Sequence, residues 1–273
     1  MKAFELLQSW PPNNVAAAVI GPDGTVHTSG DTAAVFALAS VTKLFTAAGV
    51  HLAVEERSIA LSDDAGTLTA EDVGRGASIA DVLAHAGGFG PGGDVLDDPG
   101  QKRIYSNGGY ELVARNVERA TDMAFADYLA EGVFAPLGMT STRLAGSPAH
   151  AGASSVDDLV AFVTGLSALL APSTVQQMTS PHMPELLGVL PGYGRQEPNV
   201  WGLGPEIRAT KSPHWTGSMN SESTWGHFGQ AGTFLWVDPE RSITAIALTD
   251  KPFGDWAKPL WPAFSDAVLE ELG

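Results

Sequence analysis

Ser40 and Lys43 stand three residues apart in the stretch ALASVTKLFTAAGV, residues 37–50. On a helix that spacing puts both side chains on one face. A serine hydroxyl needs a base before it is a nucleophile at neutral pH, and a lysine serves when burial or another cation lowers its pKa. The start of a helix disfavours an ammonium group, and its free N–H groups can stabilise an oxyanion. Two further stretches carry chemistry. In RIYSNGGY, Tyr105 is a phenol that can relay protons if adjacent cations hold it as phenolate, and Asn107 is an amide that can orient a lysine or grip a substrate carbonyl. In WGHFGQAG, His227 and Gly229 open a strand, where the glycine lets a substrate lie against the backbone and the Gln230 amide can act as a second oxyanion donor. Taken singly, each stretch has a plainer reading: a capping serine before an exposed lysine, a helix cap beside a packed aromatic, and a glycine-rich turn with a hydrogen-bonded histidine.

These groups must be held by regular elements. Apolar residues at Leu44, Phe45, Ala48 and Leu52 recur at helical spacing, so Val41 to about Glu55 reads as a largely buried helix with Ser40 at its edge. FELLQSW reads as a short helix stopped by Pro11 and Pro12, and VAAAVIGPDGTVHTSG as a hairpin turning at Gly24. A helix capped by Ser78 is expected to run to Gly87 and Gly88, and another starts at Ser106 or Asn107. Two amphipathic helices follow in AFADYLAEGVFAPLGM and SVDDLVAFVTGLSALL, and residues 180–199 are too rich in Pro and Gly to read as regular. VWGLGPEIRA, GTFLWVDPE and SITAIALTD read as strands, with a final helix near 256–271. Strands at both ends around a helical block imply a mixed α/β (α+β) fold: one antiparallel sheet assembled from both termini, flanked by helices, with a mainly helical lobe inserted. The expected division is an α/β lobe of about 1–60 and 199–273 and a helical lobe of about 61–198, with the site in the cleft between them.

Composition narrows the chemistry. The 273 residues are 44% hydrophobic, enough for a substantial core, and hold no cysteine, so disulfides, thiolate metal sites and cysteine nucleophiles are out. Fifteen Lys and Arg against 31 Asp and Glu give a net charge of -16, spread along the chain, which argues against nucleic-acid binding. His51, His182 and His214 lack metal-ligand spacing, so no metal is expected. No apolar run reaches about 18 residues and the N-terminus lacks a signal-peptide core, so no membrane insertion and a cytoplasmic location are expected, with export of a longer precursor left open.

In this order, the motifs resemble those of the serine β-lactamase and penicillin-binding-protein superfamily, in particular its class C-like branch of esterases, D,D-peptidases and related hydrolases. Ser40 to Lys43 matches the branch's Ser-x-x-Lys, and Tyr105 to Asn107 its Tyr-x-Asn. His227 to Gly229 matches the His-x-Gly form that esterase-like members carry in place of Lys-Thr-Gly. DVLAHAGGF, FAPLGMTST, ASSVDDLVAF and LWVDPERSITAIALTD are similar to segments between and after the motifs, so the likeness runs from about residue 15 to the C-terminus. The resemblance implies a β-lactamase-like domain without cofactor or metal. It also implies acyl transfer through Ser40, with Lys43 and Tyr105 sharing the proton, the Ser40 and Gln230 amides holding the oxyanion, and Asn107 and His227 orienting the substrate. His85 matches a family position and reads as a buried structural ring.

Two departures point to the substrate. His227 and Phe228 stand where a lactamase usually has lysine and a hydroxyl residue, which removes the groups that would hold a carboxylate. Only residues 86–104 separate His85 from Tyr105, where relatives usually carry a longer insertion over the cleft. The expectation is a carboxylesterase on small uncharged esters with weak or no β-lactamase activity. The alternatives are a β-lactamase or D,D-peptidase acting on a lactam or peptide, and a non-catalytic binding module.

Overall fold

The computed structural model describes residues 1–66 and 76–273. Its centre is a six-stranded antiparallel sheet. The hairpin β1 (Val15–Ile20) and β2 (Val26–Ser29) comes from the N-terminal part; the two-residue strands β3 (Phe36–Ala37), β4 (Arg143–Leu144) and β5 (Gly152–Ser154, three residues) form a small second sheet. A hairpin of β6 (Gly188–Leu190) and β7 (Gly194–Gln196) stands apart, and β8 (Glu206–Ile207), β9 (Trp225–Gly229), β10 (Thr233–Asp238) and β11 (Ile243–Thr249) complete the main sheet. Its spatial order is β2-β1-β11-β10-β9-β8, so the last strand of the chain lies between the first strand and β10. Side chains alternate across a strand, and all seven residues of β11 are buried, so both of its faces are covered.

The helices are α1 (Thr42–Glu55), α2 (Ile79–Leu83), α3 (Asn107–Thr121), α4 (Phe125–Leu129), α5 (Val156–Leu169), α6 (Pro172–Thr179) and α7 (Ala257–Leu272). Both α5 and α7 pack on β11, and the N-terminal 3-10 helix Lys2–Ser9 packs on α7. Helix α1 is buried almost all round, including Lys43, Thr46 and His51 as well as its apolar residues, as a helix enclosed by others must be. It touches α3, α4, α6 and β9, which makes it the post against which sheet and helical region meet.

Ser78, Ser106 and Ser155 cap their helices as their positions before apolar periods imply; Ser78 forms a full capping box with Asp81. Three local readings are corrected. Helix α2 stops at Leu83 instead of Gly87, because His85 takes a left-handed conformation, φ 57°, and turns its ring to accept from the Ser106 amide. Residues 180–199 contain the β6–β7 hairpin, whose turn is made by the Pro191 and Gly192 that read as irregular, with Gly192 at φ 81°. The expected strand at 200–209 shrinks to β8, since the chain folds back at Gly202 to Pro205 and pairs Trp201 with Glu206. No helix among the described residues is long and apolar enough to cross a membrane.

Candidate active site

Ser40 lies in a single 3-10 turn, Ala39–Val41, that feeds α1, with Lys43 one turn on. The turn is pinned from three sides. Leu38 N–H donates to the Gly152 carbonyl (2.9 Å), Thr233 Oγ1 donates to the Leu38 carbonyl (2.8 Å), and Thr42 Oγ1 donates to the Ala39 carbonyl (2.6 Å). Ala39 is held at φ 45°, a strained conformation for a residue with a Cβ, immediately before the serine. Gly229 explains how β9 reaches this turn: a Cβ there would lie 2.1 Å from the Leu38 carbonyl oxygen and 2.6 Å from Thr233 Oγ1. The glycine therefore admits the backbone of the turn just before the serine, a role that spacing did not suggest.

Lys43 is completely buried. Its Nζ donates to Asn107 Oδ1 (2.7 Å) and to the Ala149 carbonyl (2.9 Å), and lies 4.7 Å from the Tyr105 ring centre and 5.2 Å from that of Tyr110. Burial pushes its pKa well below 10.5, with Glu111 opposing. A neutral amine has two N–H groups and one lone pair; with both N–H groups taken by Asn107 and Ala149, the lone pair is left to accept a proton.

Asn107 is the first residue of α3, and Ser106 is its cap, accepting from the Gly109 N–H and donating to the Gly90 carbonyl. Tyr105 is thereby fixed just outside the helix. Its ring packs on His85 at 4.5 Å between centres. Burial raises the phenol's pKa far above 10, the Ser40 hydroxyl beside it opposing, so the condition for a phenolate is not met and Tyr105 is favoured as a phenol. The His227 ring is buried, and its Nδ1–H donates to the Phe228 carbonyl (2.7 Å), which leaves Nε2 as an acceptor 3.5 Å from the Tyr105 hydroxyl. Desolvation and then Lys43 lower its pKa to about 3, so the imidazole is neutral.

Ser40, Tyr105, His227 and Gln230 line one cavity; Lys43, bonded to Asn107, lies against the Tyr105 ring, and Gly229 against the turn that carries Ser40. Ser40 and Gln230 both line this cavity, the placement that a pair of oxyanion-binding amides requires. The remaining lining is Leu190, Pro191, Trp201, Phe228 and the carboxylate of Glu206. That carboxylate is buried in a network that motif reading missed. It accepts from Lys211 Nζ (2.9 Å), His214 Nε2 (2.9 Å) and Trp215 Nε1 (2.6 Å). Burial raises its pKa, yet Lys211 and His214 win and hold it well below the usual carboxylate range. The available signal was three ionisable residues within nine positions of a Trp-rich apolar stretch. His85 is the buried structural ring expected of it; His51 donates to the Leu203 carbonyl and His182 pairs with Asp81. Among the described residues, no three His, Asp or Glu side chains form a metal cluster.

Comparison with known proteins agrees with this architecture. A family model described as Beta-lactamase matches residues 13–266. A crystal structure of a beta-lactamase from Mycobacterium bovis is similar at 46% identity over 99% of both chains, with a TM-score of 0.93. EstCE1, described as a hydrolase with promiscuous acyltransferase activity, shares the fold at 16% identity and a TM-score of 0.78, over 97% of this chain and 96% of its own. Penicillin-binding protein 4* of Bacillus subtilis (strain 168) is 28% identical over 41% of this chain and 31% of its own length. A putative D-alanyl-D-alanine carboxypeptidase of Escherichia coli (strain K12) is 25% identical over 59% of this chain and 48% of its own. The matches thus span less than half of these curated relatives.

Proposed function

The chain belongs to the Beta-lactamase family of serine hydrolases, and from that premise we propose that it is a carboxylesterase working through an acyl-enzyme on Ser40. The observation that carries the reading is Lys43, a buried amine whose two N–H groups are taken by Asn107 and Ala149. Its lone pair takes the Ser40 proton as Oγ attacks the carbonyl carbon. The Ser40 and Gln230 amides receive the oxyanion. As the bond to the leaving oxygen breaks, the Tyr105 phenol gives that oxygen a proton and is reprotonated from Lys43, and water then repeats the sequence to release the acid.

Uncharged esters suit the lining. His227 is neutral and donates its one N–H to the Phe228 carbonyl, so the third motif offers neither a cation nor a hydroxyl to a substrate carboxylate. Glu206 at the same cavity has its carboxylate paired with Lys211 and offers a second carboxylate no counter-charge. Lactam hydrolysis is the second reading, favoured by the likeness to the Mycobacterium bovis protein.

Hydrolysis of p-nitrophenyl acetate and of a chromogenic cephalosporin by the wild type and Ser40→Ala separates the readings. Ester turnover should exceed cephalosporin turnover and fall by more than about 10³-fold in Ser40→Ala. Faster cephalosporin turnover selects the second reading. Full ester turnover by Ser40→Ala removes the nucleophile, and absence of both turnover and acyl labelling of Ser40 leaves a binding module.

A further inference from the structure

Beside the nucleophile's cavity, and sharing Tyr105 and Pro191 with it, runs a wider groove of about 450 Å³ between residues 102–105 and the β6–β7 hairpin. That volume lies within the range of small-molecule sites. The hairpin is fastened to the segment that carries Tyr105. Arg103 N–H donates to the Leu187 carbonyl (2.8 Å), Arg103 bridges Gly188, and a Cβ at Gly188 would lie 2.5 Å from the Arg103 carbonyl oxygen. Only a glycine lets the two backbones lie this close.

The charges of the walls decide what the groove can take. Three cations border it, and each is engaged within the protein. Lys102 pairs with Asp97 at 2.9 Å, and Arg195 pairs with Glu197. The buried Arg103 guanidinium donates to the carbonyls of Ala84, Asn199, His182 and Met183. Beside these paired cations and Tyr105, the lining is apolar: Pro91, Ile104, Leu187, Val189 and Pro191. Leu187 and Val189 are 40% and 59% exposed, apolar surface left open along one wall.

We propose that this groove binds the alcohol portion of the ester and that the substrates are esters of apolar aliphatic or aromatic alcohols; the proposal rests on the ester-hydrolase reading above. The side is chosen by the chemistry of acylation. The bond from Ser40 Oγ to the carbonyl carbon forms, the bond from that carbon to the alkoxy oxygen breaks, and the serine's proton reaches the departing oxygen through Lys43 and Tyr105. The departing oxygen therefore sits against the Tyr105 hydroxyl. Its substituent extends past Tyr105, into the space that Tyr105 borders on its other side.

Two ester series test this: acetates of alcohols from ethanol to octanol, and ethyl esters of acids from acetic to octanoic, each with the wild type, Leu187→Ser and Val189→Asp. In the wild-type acetate series kcat/KM should rise about fourfold per methylene until the groove is filled, the ratio given by ~0.8 kcal/mol per buried methylene. Both variants should bring the rise below twofold and leave the dependence on acid length as in the wild type. A rise that survives both variants, or one that changes in the acid series instead, overturns the proposal. Because both side chains are exposed, neither variant threatens the fold. A binding measurement on Ser40→Ala, following tryptophan fluorescence with 1-octanol and ethanol, is independent of turnover. Preference for octanol that Val189→Asp abolishes supports the groove, and equal binding overturns it. Loss of all ester turnover with Ser40 unlabelled overturns the parent reading only.

Discussion

Replacement of Lys43 by methionine tests the charge state on which the proton transfer rests. A lysine with its ordinary pKa of 10.5 is a free amine in roughly one molecule in 3,000 at pH 7. Burial at the start of α1 shifts the folded-state value well below that, so between the folded pKa and 10.5 the unfolded chain binds a proton that the native protein does not. Stability then rises with pH across this window. It stops rising above 10.5, where both states are neutral, and is lowest below the folded pKa, where the native protein must charge a buried amine. One proton of difference is worth about 1.4 kcal/mol per pH unit. Lys43→Met removes that slope. It also leaves Asn107 Oδ1 and the Ala149 carbonyl without a donor, a penalty of ~1–3 kcal/mol for each group that does not vary with pH. The difference in unfolding free energy between wild type and Lys43→Met, from urea titrations at pH 7, 8, 9 and 10, should therefore grow in the wild type's favour as pH rises, reaching about 1.4 kcal/mol per unit between the folded value and 10.5. A flat difference would mean that Lys43 is an ammonium in the native state, and the base assignment would fall with it. In parallel, wild-type kcat/KM should lose activity only as pH falls through the depressed value, with no gain on approaching 10.5.

Gly229→Ala places a methyl group 2.1 Å from the Leu38 carbonyl, and with backbone on both sides β9 or the serine turn must shift; kcat/KM should fall about 10²-fold or more, with ~1–3 kcal/mol of lost stability. An active Gly229→Ala enzyme would show that β9 does not set the position of Ser40. Glu206→Gln leaves Lys211 charged and buried without its counter-ion, for a loss of about 3–5 kcal/mol by denaturant unfolding, and adding Lys211→Met should restore most of it. If the double variant is no more stable than the single one, the pair is not the origin of the loss.

The elements that were legible are those set by local rules. Helix α1 shows through because its apolar residues recur all round, and the caps at Ser78, Ser106 and Ser155 because each serine stands where the periodic run begins. The main sheet shows through because β1, β10 and β11 are nearly continuous apolar runs. What stayed hidden was decided at long range. The end of α2 is set by a hydrogen bond from Ser106 to His85, 21 residues apart, against helical propensity that would carry the run to Gly87. The Pro and Gly that make 180–199 read as loop are the turn of a hairpin whose partner is Arg103. The seven candidate residues could be picked by type and spacing; Ser40, Tyr105, His227 and Gln230 line one cavity, and Lys43 and Asn107 are bonded to each other. Their ionisation could not be read, because it depends on burial that spacing does not reveal: whether cations hold Tyr105 as a phenolate was open, and desolvation favours the phenol.

That electrostatic pattern bears on mechanism more than any single distance. Burial drives Lys43, Tyr105 and His227 each toward its uncharged form, and the dipole of α1 reinforces the effect at Lys43. In the proposed mechanism, a site that is neutral at rest moves a proton from serine to amine while negative charge appears on the substrate oxygen, which the Ser40 and Gln230 amides would receive. The charge that arises is thus created next to its stabilising donors, and no ion has to be stripped of a partner before attack. The ionised groups nearby, Glu206 in the cavity wall and Lys211, are bonded to each other. A substrate that brings its own carboxylate would meet no free counter-ion here, whereas an uncharged ester gives up only its hydration, which the apolar lining of Trp201, Phe228 and Leu190 offsets.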